Sequence, residues 1–231
     1  MSAMRPLKVS AELAGPIAGE IPKLDAIIER AMAHRCDPSA LSEPDSAGEY
    51  APGGVPIPIA RRRVEGCAWS IPLCSWPIFL STHDRHDFVN KRFSVDPSIL
   101  ASDSRGVFAC NSGELRSYRL PLRSRNVNQV VWFCVGVAKE IRRMLVHPRS
   151  GVRYLGKKTS IGYGMVKEWK IEIVEDDWSW FAPSPGGTVL MRGLPETARL
   201  PKDLVGYRKW FGGVAAPYWN AKYHVEMVEP C

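Results

Sequence analysis

Apolar and polar residues alternate over several short stretches of the chain, and a period of two marks half-buried strands. In residues 7–18, Leu7, Val9, Ala11 and Leu13 fall on one side and Lys8, Ser10 and Glu12 on the other. A strand therefore opens the chain, and Gly15-Pro16 ends it. The period then lengthens. In residues 23–35, KLDAIIERAMAHR, the apolar positions Leu24, Ile27, Ile28, Ala31 and Met32 recur every three or four residues. That spacing predicts an amphipathic helix, with Pro22 just ahead of it, where a first-turn proline fits.

Residues 36–58 lose all periodicity and are rich in Pro, Ser, Gly and acid, so they read as a long loop. Residues 59–80 carry Arg61–Arg63 and then CAWSIPLC and SWPIFL, where Pro72 and Pro77 limit the chain to short strands or sheet edges. Residues 81–96, STHDRHDFVNKRFSVD, read as an exposed basic and aromatic excursion. Alternation returns in 114–125, with Arg119, Arg123 and Arg125 sharing one strand face. The apolar run VVWFCVG, from Val130, then predicts a separate buried strand. Residues 139–147 predict a short helix with Ile141, Met144 and Leu145 inward. Residues 165–174 predict a strand whose phase slips near Glu168, the mark of a bulge.

In outline the order is strand–helix, strands, helix–loop–strand. We expect an α+β ferredoxin-like (βαββαβ) core over residues 1–176, with insertions at about 36–60 and 81–113. Residues 177–231 are expected as a C-terminal extension packed on that core. They hold a strand-like TVLMRGLP and an aromatic PYWNAKYHVEMV.

Composition narrows the function classes. The chain has 231 residues and a formal net charge of +7. Residues 105–170 hold 14 Lys/Arg against 3 Asp/Glu, a local net of +11, which leaves −4 for the rest. A concentrated basic block points to a polyanionic partner. The longest apolar run, residues 130–138, is far short of the roughly 20 residues of a membrane span. No apolar leader follows Arg5, so a cytoplasmic protein is expected. The six cysteines lack metal-site spacing, and no metal or other cofactor is expected. Cys134, inside the apolar run, reads as a small core residue.

The chemistry concentrates in LGKKTSIGYGMVKEW, which begins at Leu155. Its lysines precede the second glycine and a strand follows, so neither a Walker A loop nor a dinucleotide fingerprint is present. Glycines do let a main chain approach a nucleic-acid backbone, and successive N–H groups can cradle phosphate oxygens. Lys157 and Lys158 add charge, and the Tyr163 ring offers a stacking surface for an unpaired base. Gly162 and Gly164 are the positions where a side chain is expected to cost binding more than folding.

The block VWFCVGVAKEIRRMLVHPRSGVRYLGKKTSIGYGMV resembles the RAMP proteins of CRISPR–Cas systems, whose hallmark is a glycine-rich loop after the second helix. The run of Phe and Gly, a short helix, LGKK and GYGMV is most similar to the Cas-five-type subunit of type IV CRISPR effectors. LKVSAELAGPIA with KLDAIIERA, VLMRGLP and PYW agree with that family. The resemblance implies a non-catalytic subunit that holds the 5′ repeat-derived handle of the CRISPR RNA and contacts the backbone RAMP subunit and the large subunit. It leaves open target DNA beside the protospacer as a further partner. Carried onto this chain, the handle would meet Gly156, Lys157, Lys158, Ser160, Gly162, Tyr163 and Gly164. Arg61, Arg62, Arg63, Arg119, Arg123 and Arg125 would hold its phosphates, and Arg85, Lys91 and Arg92, near Phe88 and Phe93, would form an extended finger. Some RAMP proteins instead cut the CRISPR repeat without a metal. Their histidine often follows the first helix, where His34 stands here, with Tyr163 or Lys158 to stabilise the phosphate. His83, His86, His147 and His224 show no catalytic constellation.

Overall fold

The computed structural model describes residues 3–36, 56–91, 118–147, 151–216 and 218–231. The opening alternation forms β1 (Arg5–Leu13), and Leu7, Val9, Ala11 and Leu13 are all buried. A two-residue strand, β2 (Ile17–Ala18), leads to helix α1 (Leu24–Cys36). The longest strand, β6 (Tyr118–Gly136), carries β1 and then β2 along one edge and β5 (Ile78–Lys91) along the other. Helix α2 (Ala138–Val146) follows it, and β7 (Val166–Ile173) returns to the free edge of β1. Between Glu12 and Leu13 the register of that pair shifts, skipping Lys167, so the phase slip near Glu168 is a bulge.

One face of this sheet packs against both helices. Val9, Val130 and Trp132 of the sheet meet Leu24 and Ile28 of α1 and Ile141, Met144 and Leu145 of α2 in one apolar cluster. Trp132 and Trp169 stack there with ring centroids 5.8 Å apart. Cys134 is fully inside, and burial pushes its thiol up to about 12, as suits a core residue.

A second apolar cluster lies over β3 (Arg61–Arg63), β4 (Ser70–Pro72) and the C-terminal strands. The latter are β8 (Phe181–Ser184), β9 (Gly187–Leu190), β10 (Leu194–Pro195), β11 (Leu204–Val205), β12 (Tyr207–Gly213) and β13 (His224–Pro230). They form two small three-stranded sheets, β10-β13-β12 and β11-β9-β8, while β3 pairs with β4 alone.

Three expectations are corrected. The fold class is the first: among the described residues strands take 50% and helices 14%, with two α-helices and several sheets. This is a mostly β protein and not a balanced α+β ferredoxin-like βαββαβ fold. The Trp-, Val- and Tyr-rich C-terminal segments, favourable on pleated half-buried surfaces, add strands and no α-helix among the described residues. Secondly, residues 81–91 are mostly exposed, as expected, but they are no unpaired insertion; they are strand, paired residue by residue with β6 from His83↔Asn126 to Lys91↔Tyr118. Lastly, the two strands expected over 114–125 and 130–136 are, from Tyr118 onward where the described residues resume, the single strand β6. Pro121 is tolerated within it because, among the described residues, β6 is paired on one side only from Arg123 back to Tyr118.

Candidate nucleic-acid interface

The loop between α2 and β7 is braced by its main chain. Leu155, fully buried, donates its N–H to Gly164 O (2.8 Å), closing the loop at its neck. Gly164 N–H donates to Pro16 O and Lys157 N–H to Ala18 O, each at 2.8 Å, which clamps the loop to the β1–β2 turn. Between the clamps, Thr159–Ile161 make one 3-10 turn. Ile161 and Gly162 donate their N–H groups back to Lys158 and Thr159 carbonyls. So five loop N–H groups already have protein acceptors, and the expected backbone cradle for phosphate narrows. Phosphate contact falls mainly to side chains.

Those side chains are well placed. Lys157, Lys158 and Ser160 are exposed. Lys158 has φ +59, the only non-glycine residue with positive φ among those described. That conformation costs about 1–2 kcal/mol for an L-residue, and such strain tends to mark functional positions. The Lys157 stem lies over Gly19, where an added Cβ would come 3.1 Å from its Cδ.

The glycines divide by role. At Gly164 (φ +66) a Cβ would lie 1.8 Å from Leu155 O, and at Gly156 (φ +79) 2.6 Å from Ala18 O. At Gly162 (φ +93) nothing lies within 4 Å. The expectation that Gly164 serves binding before folding is therefore wrong: it is structural, because two backbones meet there. Gly162 faces open space.

Tyr163 also departs from expectation. It is half-buried, and its hydroxyl donates to Asp87 Oδ2 on β5 at 3.0 Å. Ser124 Oγ donates to the same oxygen at 2.6 Å, and Arg85 lies 3.3 Å from Oδ1. The Ser124 and Tyr163 hydrogen bonds hold the Asp87 carboxyl below its usual range, aided by the Arg85 charge. Tyr163 is thus a latch between the loop and β5, and its ring edge is no longer free at the hydroxyl end.

The latch joins the loop to a two-stranded ribbon made by the outer parts of β5 and β6. Arg123 and Arg125 both reach Asp84 across the ribbon (2.8 and 3.5 Å), which confirms their shared face. The Arg123 hydrogen bond is the main cause of the lowered Asp84 pKa. Arg119 lies over the Phe88 ring at 4.0 Å, a cation–π contact. Sequence reading singled out these arginines and missed the two aspartates that hold them in place. The signal was present, since HDRHD sets an acid on each face of a strand, Asp84 and Asp87 three residues apart around Arg85.

The remaining candidates are not brought to this surface. Arg61–Arg63 sit on β3, whose neighbour Ala60 donates its N–H to Val135 O. Val135 and Arg123 are twelve residues apart on β6, about 40 Å at roughly 3.3 Å per residue. Arg62 instead lies over the Trp180 ring at 5.3 Å. Arg92 and the side chains of His34 and Lys91 lie outside the described residues. Among the described residues no group of three or more His, Cys, Asp or Glu could hold a metal ion. No helix among them is long and apolar enough to cross a membrane.

A second polar cluster escaped the sequence reading altogether. Asp25, Arg192 and Tyr218 meet in the interior, with Asp25 and Arg192 both fully buried. Arg192 donates to Asp25 Oδ2 (3.0 Å), Cys74 O (2.8 Å) and Val214 O (2.6 Å), and the Tyr218 hydroxyl donates to Asp25 Oδ2 at 2.6 Å. Burial alone would raise the Asp25 pKa; the Arg192 charge and the Tyr218 and Arg192 hydrogen bonds outweigh it and hold the carboxyl ionised. KLDAIIERA, VLMRGLP and PYW each supply one member. The cluster ties α1 to the C-terminal strands.

Residues 77–230 match the family described as CRISPR type IV associated protein Csf3, and the chain belongs to that family. No curated protein matches it.

Proposed function

We propose that this member of the family is a non-catalytic CRISPR RNA-binding subunit of a type IV effector ribonucleoprotein. It holds the 5′ repeat-derived handle of the guide RNA and joins the backbone and large subunits during RNA-guided DNA targeting. One observation carries the reading. An exposed lysine pair sits on a main-chain-braced loop, latched by Tyr163 to a ribbon bearing Arg85, Arg119, Arg123 and Arg125. Arg85 lies on the latch side of that ribbon and Arg119, Arg123 and Arg125 on its other face, so ribbon and loop together offer positive charge at intervals along an extended track, which suits the phosphates of a single strand.

The test is fluorescence anisotropy with single-stranded RNA from the repeat handle. Lys157→Glu with Lys158→Glu should weaken binding at least about tenfold. It should also lower the salt slope by about 0.7 for each phosphate that is no longer neutralised. Its circular dichroism should match the parent's, because both side chains are exposed. Unchanged affinity would remove the loop from the interface. The non-catalytic part is tested by incubation with repeat RNA in chelator. Intact RNA is expected; specific cleavage that vanishes in His34→Ala would make the protein a metal-independent repeat endoribonuclease instead.

A further inference from the structure

A cleft of about 850 Å³ opens between α1 and the strands β12 and β13. Its size falls within the roughly 300–1,000 Å³ of small-ligand sites, whereas a protein partner of ordinary size covers a broad patch of about 800 Å². Five aromatic rings line it: Trp76, Trp210, Phe211, Tyr218 and Trp219. Three of these are open to solvent although large and apolar: Trp210 at 57%, Phe211 at 60% and Trp219 at 64%. A folded chain has no reason of its own to leave three such rings together in one concavity.

Two polar groups of the cleft are donors, set among the carboxylates of Glu20, Glu29 and Glu229. Lys23 Nζ stands over the Trp76 ring at 4.3 Å and the Tyr218 ring at 3.7 Å. The Trp76 Nε1–H is buried and finds no acceptor among the described residues, an arrangement rare in native interiors. Ring faces for stacking, together with donors for ring carbonyls and nitrogens, are what an unstacked nucleobase requires.

The position relative to the basic loop singles out the same ligand. The Lys157 stem lies on Gly19, and Glu20, the next residue, already lines the cleft. The phosphate-facing lysines and the aromatic cleft are therefore neighbours along one short stretch of chain.

We infer that the cleft between α1 and β12 is a pocket for an unstacked base of the same RNA strand whose phosphates meet Lys157 and Lys158. The pocket rests on the RNA-binding reading above and adds to it a base-recognition subsite that begins at Glu20, the residue after Gly19. Trp210, Phe211 and Trp219 supply the stacking faces.

The experiment uses the full chain and two fluorescein-labelled probes: a short handle RNA, and the same RNA with every base replaced by an abasic ribose. The parent should bind the base-bearing RNA about tenfold or more tightly than the abasic one. Phe211→Ala with Trp219→Ala should lose about that factor on the base-bearing RNA and nothing on the abasic RNA. Lys157→Glu with Lys158→Glu should weaken both. Both rings are exposed, so folding should persist; Trp219→Tyr should restore binding where Trp219→Leu does not. Handle RNA carrying 4-thiouridine should crosslink under ultraviolet light to the peptide that holds Trp219. Equal affinity of the Phe211/Trp219 variant for base-bearing RNA overturns the pocket while leaving the loop in place. If that variant keeps RNA but loses co-purification of another effector subunit, the cleft takes a protein and the inference fails. If the parent binds neither RNA, the RNA-binding reading itself falls.

Discussion

The glycine–lysine loop and the Asp25–Arg192–Tyr218 cluster handle positive charge in opposite ways. In the loop the backbone is satisfied by backbone: Leu155, Lys157 and Gly164 all donate to carbonyls, and the lysine heads are left to solvent. In the cluster the side chain is held by side chain and backbone together: Arg192 donates from its terminal nitrogens to a carboxylate and two carbonyls and has no exposure, while its Nε finds no acceptor among the described residues. A cation whose charge is matched by a carboxylate out of reach of solvent has little left for a partner. One held at the surface by its backbone alone keeps its full donor capacity for a ligand. The first kind should govern stability and the second recognition, and mutation can separate them.

The largest effect is expected at the cluster. Arg192→Leu leaves the Asp25 carboxylate buried without its cation, and removing one partner of a buried pair costs about 3–5 kcal/mol. Urea unfolding should show that loss, while Lys158→Ala should shift the midpoint little. Arg192→Leu combined with Asp25→Leu should recover part of the loss, since replacing both partners removes the stranded charge. Equal stability of Arg192→Leu and the parent would end the contrast.

Next in size is a split between two glycines of the same loop. Gly164→Ala forces a Cβ to 1.8 Å from Leu155 O, and the neck hydrogen bond between these residues must break. Gly162→Ala meets nothing within 4 Å and pays only for its positive φ, about 1 kcal/mol. Thermal unfolding should therefore fall far more for Gly164→Ala. If the two variants melt together, the loop is not braced at its neck.

How much of this was legible beforehand depended on sequence distance. The β1 face and the inward residues of α2 were read correctly, because a strand or helix face is a pattern within a few neighbours. The bulge near Lys167 showed itself as a slip of phase. The ribbon was half legible: its arginines alternate, but β5 has no continuous apolar face, so HDRHDFV looked like loop. What makes it strand is cross-strand pairing, Asp84 with Arg123 and Asp87 with Ser124, between segments nearly forty residues apart. The buried cluster left the faintest trace. Asp25 lies 167 residues from Arg192 and 193 from Tyr218, beyond any local period. Its one local signal was a lone arginine inside the apolar run VLMRGLP. The overall class was misjudged because the two helices have clear periods, whereas the short C-terminal strands are fixed by pairing and burial in the second cluster.

The smallest effect tests whether the cleft wall belongs with the buried region or the exposed one. Glu29, on the α1 face that lines the cleft, has its pKa raised to about 7 from 4.5, chiefly by burial; Arg61 opposes the shift and Asp25 adds to it. The folded state therefore binds this proton more tightly than the unfolded chain does. Its stabilising effect is complete below pH 4.5, fades as pH rises, and is gone above about 7. Asp25 has the opposite sign, but its lowered pKa confines it to pH below 3.8, and Lys23, lowered to about 8 mainly by burial, acts only between about 8 and 10.5. Between pH 4.5 and 7, Glu29 should thus act apart from both. Melting temperatures across that window should show a fall with rising pH that is reduced in Glu29→Gln, whose side chain needs no proton. A slope identical in both proteins would mean that water reaches Glu29 freely, which would place the α1 wall of the cleft with the solvated lysines of the loop and not with Arg192.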